Sequence, residues 1–384
     1  MILDYEVLKF IWWLLVGALL IGFAIMDGHD LGVNNLLPFL GKTDTERRVI
    51  INAVGPHWDG NQVWFITAGG AIFAAWPFVY AAAFSGLYVG LLLVLFALFF
   101  RPLGFDYRNK LEDKRWRAMW DWGIFVSGFV PSLVFGVAFG NLLQGLPFHI
   151  DTMFMPHYDK SFLWALLGLL NPFALLCGVL SLSMLTLHGA MWLQLRTEGD
   201  VAVRARKTAL LLAPLVILLF AVGGIWTAYG IEGFRIVSQP DHNAVPNPLG
   251  KVVETATGAW LDIYTAYPAA MLAPAAGFAG AALAWLLSLI RRPGLGMIFS
   301  SLCLVGIIGT AGLSMFPFVM PSSTNPNSGL TLWDATSSHL TLTIMLGTVA
   351  VFLPLVLVYT SWAYAKMWGP VSPDGIEKNT HSVY

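Results

Sequence analysis

The chain has 384 residues, of which 57% are hydrophobic and only 11% charged, whereas soluble domains carry about 25% charged residues. Its net charge of −1 leaves no basic field for nucleic acid. A mean hydropathy of +0.70 and apolar runs long enough for helices mark an integral membrane protein, and they exclude a barrel of strands.

In chain order, the apolar runs predict nine spans, at 8–28, 51–76, 78–100, 119–143, 161–187, 208–230, 266–290, 295–318 and 338–363. Each is long enough to cross the hydrocarbon core. The first run lacks a basic leader and a small-residue cleavage site, so it reads as a retained helix. The second is the most polar. Asn171-Pro172 falls inside the fifth and predicts a kink; Pro214 predicts another in the sixth. No linker or low-complexity segment divides the chain. The reading is one polytopic, all-α membrane domain over 1–384, packed as two helical bundles plus one extra helix. Cys177 and Cys303 lie in apolar runs and read as core residues. The 16 Trp suit interfacial belts.

The connections set the orientation. One side holds only Lys9, Lys160, Arg235 and Lys251, out of 21 Lys and Arg in all. The rest, from Lys42 to Lys378, collect on the other side. The positive-inside rule puts the N-terminus in the periplasm and the C-terminus in the cytoplasm. Within the long outer connection 231–265, Asp241-His242-Asn243 and Pro246-Asn247-Pro248 read as turns.

Polar residues inside apolar runs are where chemistry is expected. The richest stretch is 52–64, Asn-Ala-Val-Gly-Pro-His-Trp-Asp-Gly-Asn-Gln-Val-Trp, which reads as a buried polar path centred on Asp59. The first helix ends in Met26-Asp27-Gly28-His29-Asp30. Asp27 and Asp30 are spaced to share a helical face. They relay protons, bind a cation or pair with arginine, or else sit solvated at the interface. His29 reads as a surface or interfacial histidine. Arg101 closes the third run just before Pro102, which is expected to stop that helix. Arg101 is either a snorkelling anchor or a guanidinium fixed to a carboxylate. Asp121 is placed near the start of the fourth helix, where the helix dipole favours it. Asp30, Arg101 and Asp121 fall near one membrane face, where one ion-pair cluster is conceivable. Asp334 and the hydroxyls around it are expected to cap the ninth helix. His188 is the one histidine deep enough in a run to suggest an axial haem ligand. No zinc motif, P-loop, dinucleotide fingerprint or catalytic triad spacing is present, so no metal site is expected.

Several long motifs resemble subunit II of the cytochrome bd quinol oxidases. They are Asp4-Tyr5-Glu6 with Phe10-Ile11-Trp12-Trp13, Pro56-His57-Trp58-Asp59-Gly60-Asn61-Gln62-Val63-Trp64, Gly104-Phe105-Asp106-Tyr107-Arg108, Ala138-Phe139-Gly140-Asn141, and Phe316 to Ser323. The family's first-helix motif is usually Asp-Gly-Phe-Asp; here His29 replaces the aromatic residue.

The resemblance implies a subunit of a respiratory terminal oxidase in the bacterial inner membrane, oxidising quinol and reducing dioxygen to water without pumping. It implies a heterodimer in which subunit I carries the quinol site and the ligands of haem b and haem d, with a small single-helix subunit, lipid or a structural quinone as further partners. It assigns Asp30, Arg101 and Asp121 to support of the haem pair without ligation, and Asp59, His57 and Trp58 to a proton path. The alternative from the residues alone is a proton- or ion-coupled secondary transporter using Asp27, Asp30 and Asp59.

Overall fold

The computed structural model describes residues 3–158, 167–238, 241–372 and 375–376. The expected start of the fifth span, together with Lys160 and Lys378, lies outside them.

Thirteen α-helices order the described residues: α1 Tyr5–Met26, α2 Gly28–Leu40, α3 Asp44–Asn52, α4 Trp58–Ala75, α5 Pro77–Gly86, α6 Tyr88–Tyr107, α7 Lys114–Gln144, α8 Pro172–Arg196, α9 Gly199–Gly230, α10 Asp262–Ala266, α11 Leu272–Leu289, α12 Pro293–Met315 and α13 His339–Lys366. Among the described residues, eight helical stretches are long and apolar enough to span a membrane, counting α1 with α2 as one. The expected second span is present as α4, but its first turn carries Asp59 and it is not among those eight.

Two groups of helices pack side by side. The first joins α1, α2, α4, α6 and α7; the second joins α8, α9, α11 and α12, with α8 also lying against α2 and α7. α13 rests against α1 and α4 and leaves Ile344, Val351, Phe352, Leu355 and Val358 exposed. The α2–α8 crossing is close because both helices offer glycine there. A Cβ on Gly32 would strike the Leu185 carbonyl and the Gly189 backbone, and one on Gly189 would strike Gly32. Side-chain amides then reach across: Asn35 Nδ2 donates to Thr186 Oγ1 at 3.0 Å.

Two expectations about helix ends need correction. Pro102 does not stop α6, which runs on to Tyr107; a helix tolerates the missing N–H when packing holds both halves. Asn171-Pro172 does not kink a helix from within. It starts α8, with the Asn171 side chain accepting from Ala174 N and Pro172 in the first turn, where its absent donor costs nothing. Helix α9 is unbroken through Pro214.

The outer connections carry a little strand. β1 His149–Ile150 pairs with β2 Pro156–His157. β3 Glu232–Ile236 pairs antiparallel with β4 Val253–Thr257. β5 Phe318–Met320 pairs with β6 Leu330–Thr331. The turns at 241–244 and 247–250 are present, but the β3–β4 ribbon between their flanks was not expected. Asp334 caps nothing. Its Oδ2 lies 2.8 Å from Lys251 Nζ, and its Oδ1 accepts from Thr331 N. Burial pushes its carboxyl up, with Lys251 opposing. The hydroxyl half of the expectation holds: Ser338 caps α13.

Candidate functional site

The polar segment Met26–Asp30 sits where α1 gives way to α2, with Asp27 between them. Neither carboxylate is solvated: Asp27 is 1% exposed, Asp30 is 0% and His29 is 2%. The expected surface histidine is therefore interior. It fills the space between Trp192, whose ring centroid is 4.3 Å away, and His57 at 5.4 Å.

Each acid has a different partner. Arg101, fully buried, grips Asp27 with Nη1 to Oδ1 at 2.6 Å and Nη2 to Oδ2 at 3.4 Å. Arg101 is thus a fixed guanidinium and not a snorkelling anchor; its Nε has no partner. Asp30 Oδ2 accepts from Asn61 Nδ2 at 2.7 Å. Its Oδ1 lies 3.3 Å from His29 Nε2 and 3.5 Å from His57 Nδ1. Ligand atoms of His29, Asp30 and His57 all fall within 4.8 Å of one another.

The far side is closed by α13. Tyr364 donates to Asn61 Oδ1 at 2.8 Å, and its ring stacks on His57 at 4.9 Å. Neither Tyr364 nor Trp192 was singled out from sequence. Both sit in runs where an aromatic residue is ordinary, so no local signal marks them.

Asp59 does not sit at the buried centre. Helix α4 begins at Trp58 with His57 as its cap, so the chain turns outward there. His57 is buried, Trp58 half-buried and Asp59 exposed on this chain. Trp58 packs edge-on to Phe105 and under the Arg101 guanidinium, 5.9 Å away.

Asp121 belongs to a separate cluster, so the single cluster conceived for Asp30, Arg101 and Asp121 is two. Asp121 lies in the second turn of α7, whose cap is Asp113. Its Oδ1 accepts from Arg108 Nε at 2.6 Å, and its Oδ2 accepts from Arg47 Nη1 at 2.7 Å. Arg108 continues to Asp44 Oδ1 at 2.9 Å, and Arg117 to Asp44 Oδ2 at 2.8 Å.

His188 offers no vacant nitrogen. Nε2 lies 3.0 Å from Ile25 O, and Nδ1 lies 2.8 Å from Ser300 Oγ. His188, the candidate read from the sequence, therefore does not fit an axial haem ligand.

These features define a polytopic helical membrane subunit with a buried acid–histidine cluster. The family model for cytochrome bd terminal oxidase subunit II matches residues 8–367. The chain is 55% identical to cytochrome bd-I ubiquinol oxidase subunit 2 of Escherichia coli over 100% of both chains. It is 32% identical to cytochrome bd ubiquinol oxidase subunit 2 of Bacillus subtilis, over 92% of this chain and 94% of that one. A chain of the bd oxidase from Geobacillus thermodenitrificans shares the fold at a TM-score of 0.65 and 14% identity, covering 95% of this chain and 98% of that one. The chain belongs to the cytochrome bd terminal oxidase subunit II family. It is a subunit of a respiratory terminal oxidase, and the transporter alternative falls away.

Proposed function

We propose that this subunit works in a bacterial inner-membrane complex that oxidises quinol and reduces dioxygen to water. In this reading subunit I carries the quinol site and the axial ligands of haem b and haem d. The occupied nitrogens of His188 support that division. The exposed apolar flank of α13 leaves room for a small single-helix subunit or lipid. An apolar cavity of about 520 Å³, lined by Phe23, Phe65, Phe135, Phe173 and Phe220, suits a lipid or quinone tail.

The N-terminus lies on the periplasmic side and the C-terminus in the cytoplasm. The pairing of basic connections supports this. Arg108 and Arg117 both meet Asp44, and Arg204 meets Glu46, so loops from three spans gather at one end. A basic end of this kind is cytoplasmic.

Asp30, Arg101 and Asp121 support the haem pair from a distance. Arg101 is wholly enclosed by this chain, so it acts by fixing the α1–α2 junction to α6. Asp59 is the acid–base group of a cytoplasmic proton path, with His57 and Trp58 forming its inner wall. Protons released by quinol outside and taken up from inside would separate charge without pumping. The observation that carries the reading is the exposed Asp59 directly beside a buried polar cluster, on a face that a partner subunit can seal.

The test is Asp59→Asn in the intact complex. Turnover should fall by about tenfold or more, in the range expected for losing a proton-transfer group, while the reduced-minus-oxidised haem spectrum stays unchanged. Full turnover at saturating quinol would remove Asp59 from the path.

A further inference from the structure

We propose that His29, Asp30 and His57 form a binding site for a divalent transition-metal ion, with zinc as the class that fits. The argument starts with hydrogens. His29 Nδ1 lies 3.0 Å from the Ile25 carbonyl. A carbonyl only accepts, so Nδ1 carries the proton and donates. In a neutral ring Nε2 then presents a lone pair, and Nε2 points at Asp30 Oδ1, 3.3 Å away.

His57 repeats the pattern. The Asn61 amide donates to Asp30 Oδ2, and its Oδ1 accepts from Tyr364, which fixes the amide orientation. Its NH₂ faces His57 Nδ1 at 3.1 Å, so Nδ1 is also an acceptor. Nδ1 in turn lies 3.5 Å from the same Asp30 Oδ1. The His29 lone pair and a carboxylate oxygen converge, and neither His29 Nε2 nor Asp30 Oδ1 has a hydrogen-bond partner; His57 Nδ1, which faces the Asn61 amide at 3.1 Å, would exchange that N–H for an ion. The contact between His29 Nε2 and Asp30 Oδ1 is repulsive unless a metal ion or a proton lies between them.

The spacing suits a metal. A tetrahedral zinc with N and O ligands at about 2.0–2.1 Å sets neighbouring ligand atoms roughly 3.3 Å apart. The two contacts to Asp30 Oδ1, at 3.3 and 3.5 Å, match that figure. The outer contacts also match a metal site. A ligating histidine ordinarily donates its other N–H to a carbonyl or carboxylate, as His29 does to Ile25, whereas His57 Nε2 has no partner. Charge agrees as well: Arg101 is committed to Asp27, so Asp30 lacks a bidentate cation of its own.

The site depends on His29, which stands where the family pattern carries an aromatic residue. It rests on this geometry and not on the proton reading of Asp59. With the ion bound, His57 is held in place at the inner end of the path.

The experiment uses the whole complex, purified without chelators from zinc-supplemented cells through a tag on this chain. Elemental analysis should find about one zinc per complex beside the haem iron. His29→Phe should lose that zinc at unchanged haem iron. Zinc absent from the wild type, or equal in wild type and variant, overturns the site. Should His29→Phe fail to assemble, zinc-edge X-ray absorption on the wild type decides. A shell of two imidazoles and one carboxylate at about 2.0–2.1 Å supports the proposal, and a different shell overturns it. An infrared band of a protonated carboxyl that disappears in Asp30→Asn would show that a proton fills the place instead.

Discussion

Among the described residues, two ionic clusters, one enclosed and one partly exposed through Asp44 and Arg47, are balanced differently. Around Asp121, arginine matches carboxylate: Arg108 and Arg47 meet its two oxygens, and Arg108 and Arg117 meet those of Asp44. Around the α1–α2 junction, one arginine stands against two acids and pairs with Asp27 alone, and histidines, an asparagine and a tyrosine make up the difference. A matched cluster is a staple, because it has no reason to exchange protons or ions. An undermatched cluster in low dielectric must recruit a cation or hand protons on. Function is therefore expected at the junction and assembly strength at Asp121.

Arg101→Leu tests the undermatched cluster most severely. It leaves Asp27 buried beside Asp30 with no cation in reach. Removing one partner of a buried pair costs about 3–5 kcal/mol. The expected outcome is a complex that loses its far-red haem d absorbance and denatures at lower temperature. Normal spectra would show that Arg101 is not needed to hold the α1–α2 junction. Asp121→Asn should cost less, about 1–3 kcal/mol, because Arg108 keeps Asp44 and the Asn109 side chain as acceptors. Its complex should keep turnover per haem while losing thermal stability. A variant with intact stability and lost turnover would reverse the roles given to the two clusters.

The difference between the clusters also governs what the sequence could reveal. Apolar runs located most spans, since crossing hydrocarbon needs length and apolarity, which are local properties. The helix ends at Pro102 and Asn171-Pro172 were misread because a proline's effect depends on whether it falls in a first turn or a packed interior. Asp121 and Arg108 stand 13 residues apart, yet that pairing was not read from the sequence, which grouped Asp121 with Arg101. Arg101 and Asp27 are separated by 74 residues, and Tyr364 and Asn61 by 303. Such pairs exist only once helices pack, and no motif announces them. Asp59 was placed at the buried centre because its neighbours are polar, yet the cap at His57 turns it outward and carries His57 in.

The smallest expected effect sharpens the comparison by showing redundancy. Arg47 reaches Asp121 Oδ2 at 2.7 Å and also donates from Nε to the Gly41 carbonyl at 3.0 Å. Its side chain is 28% exposed, against 1% for Arg108. Water can replace a partly exposed guanidinium, and Arg108 Nη2 already stands 3.4 Å from the same oxygen. Arg47→Ala should therefore cost about 0.5–1 kcal/mol or less, read as a small fall in the complex's denaturation midpoint. No equivalent substitution exists at the α1–α2 junction, because Arg101 has no understudy there. If Arg47→Ala proved as damaging as Arg101→Leu, the Asp121 cluster would not be overdetermined, and matched charge would not be what separates the two.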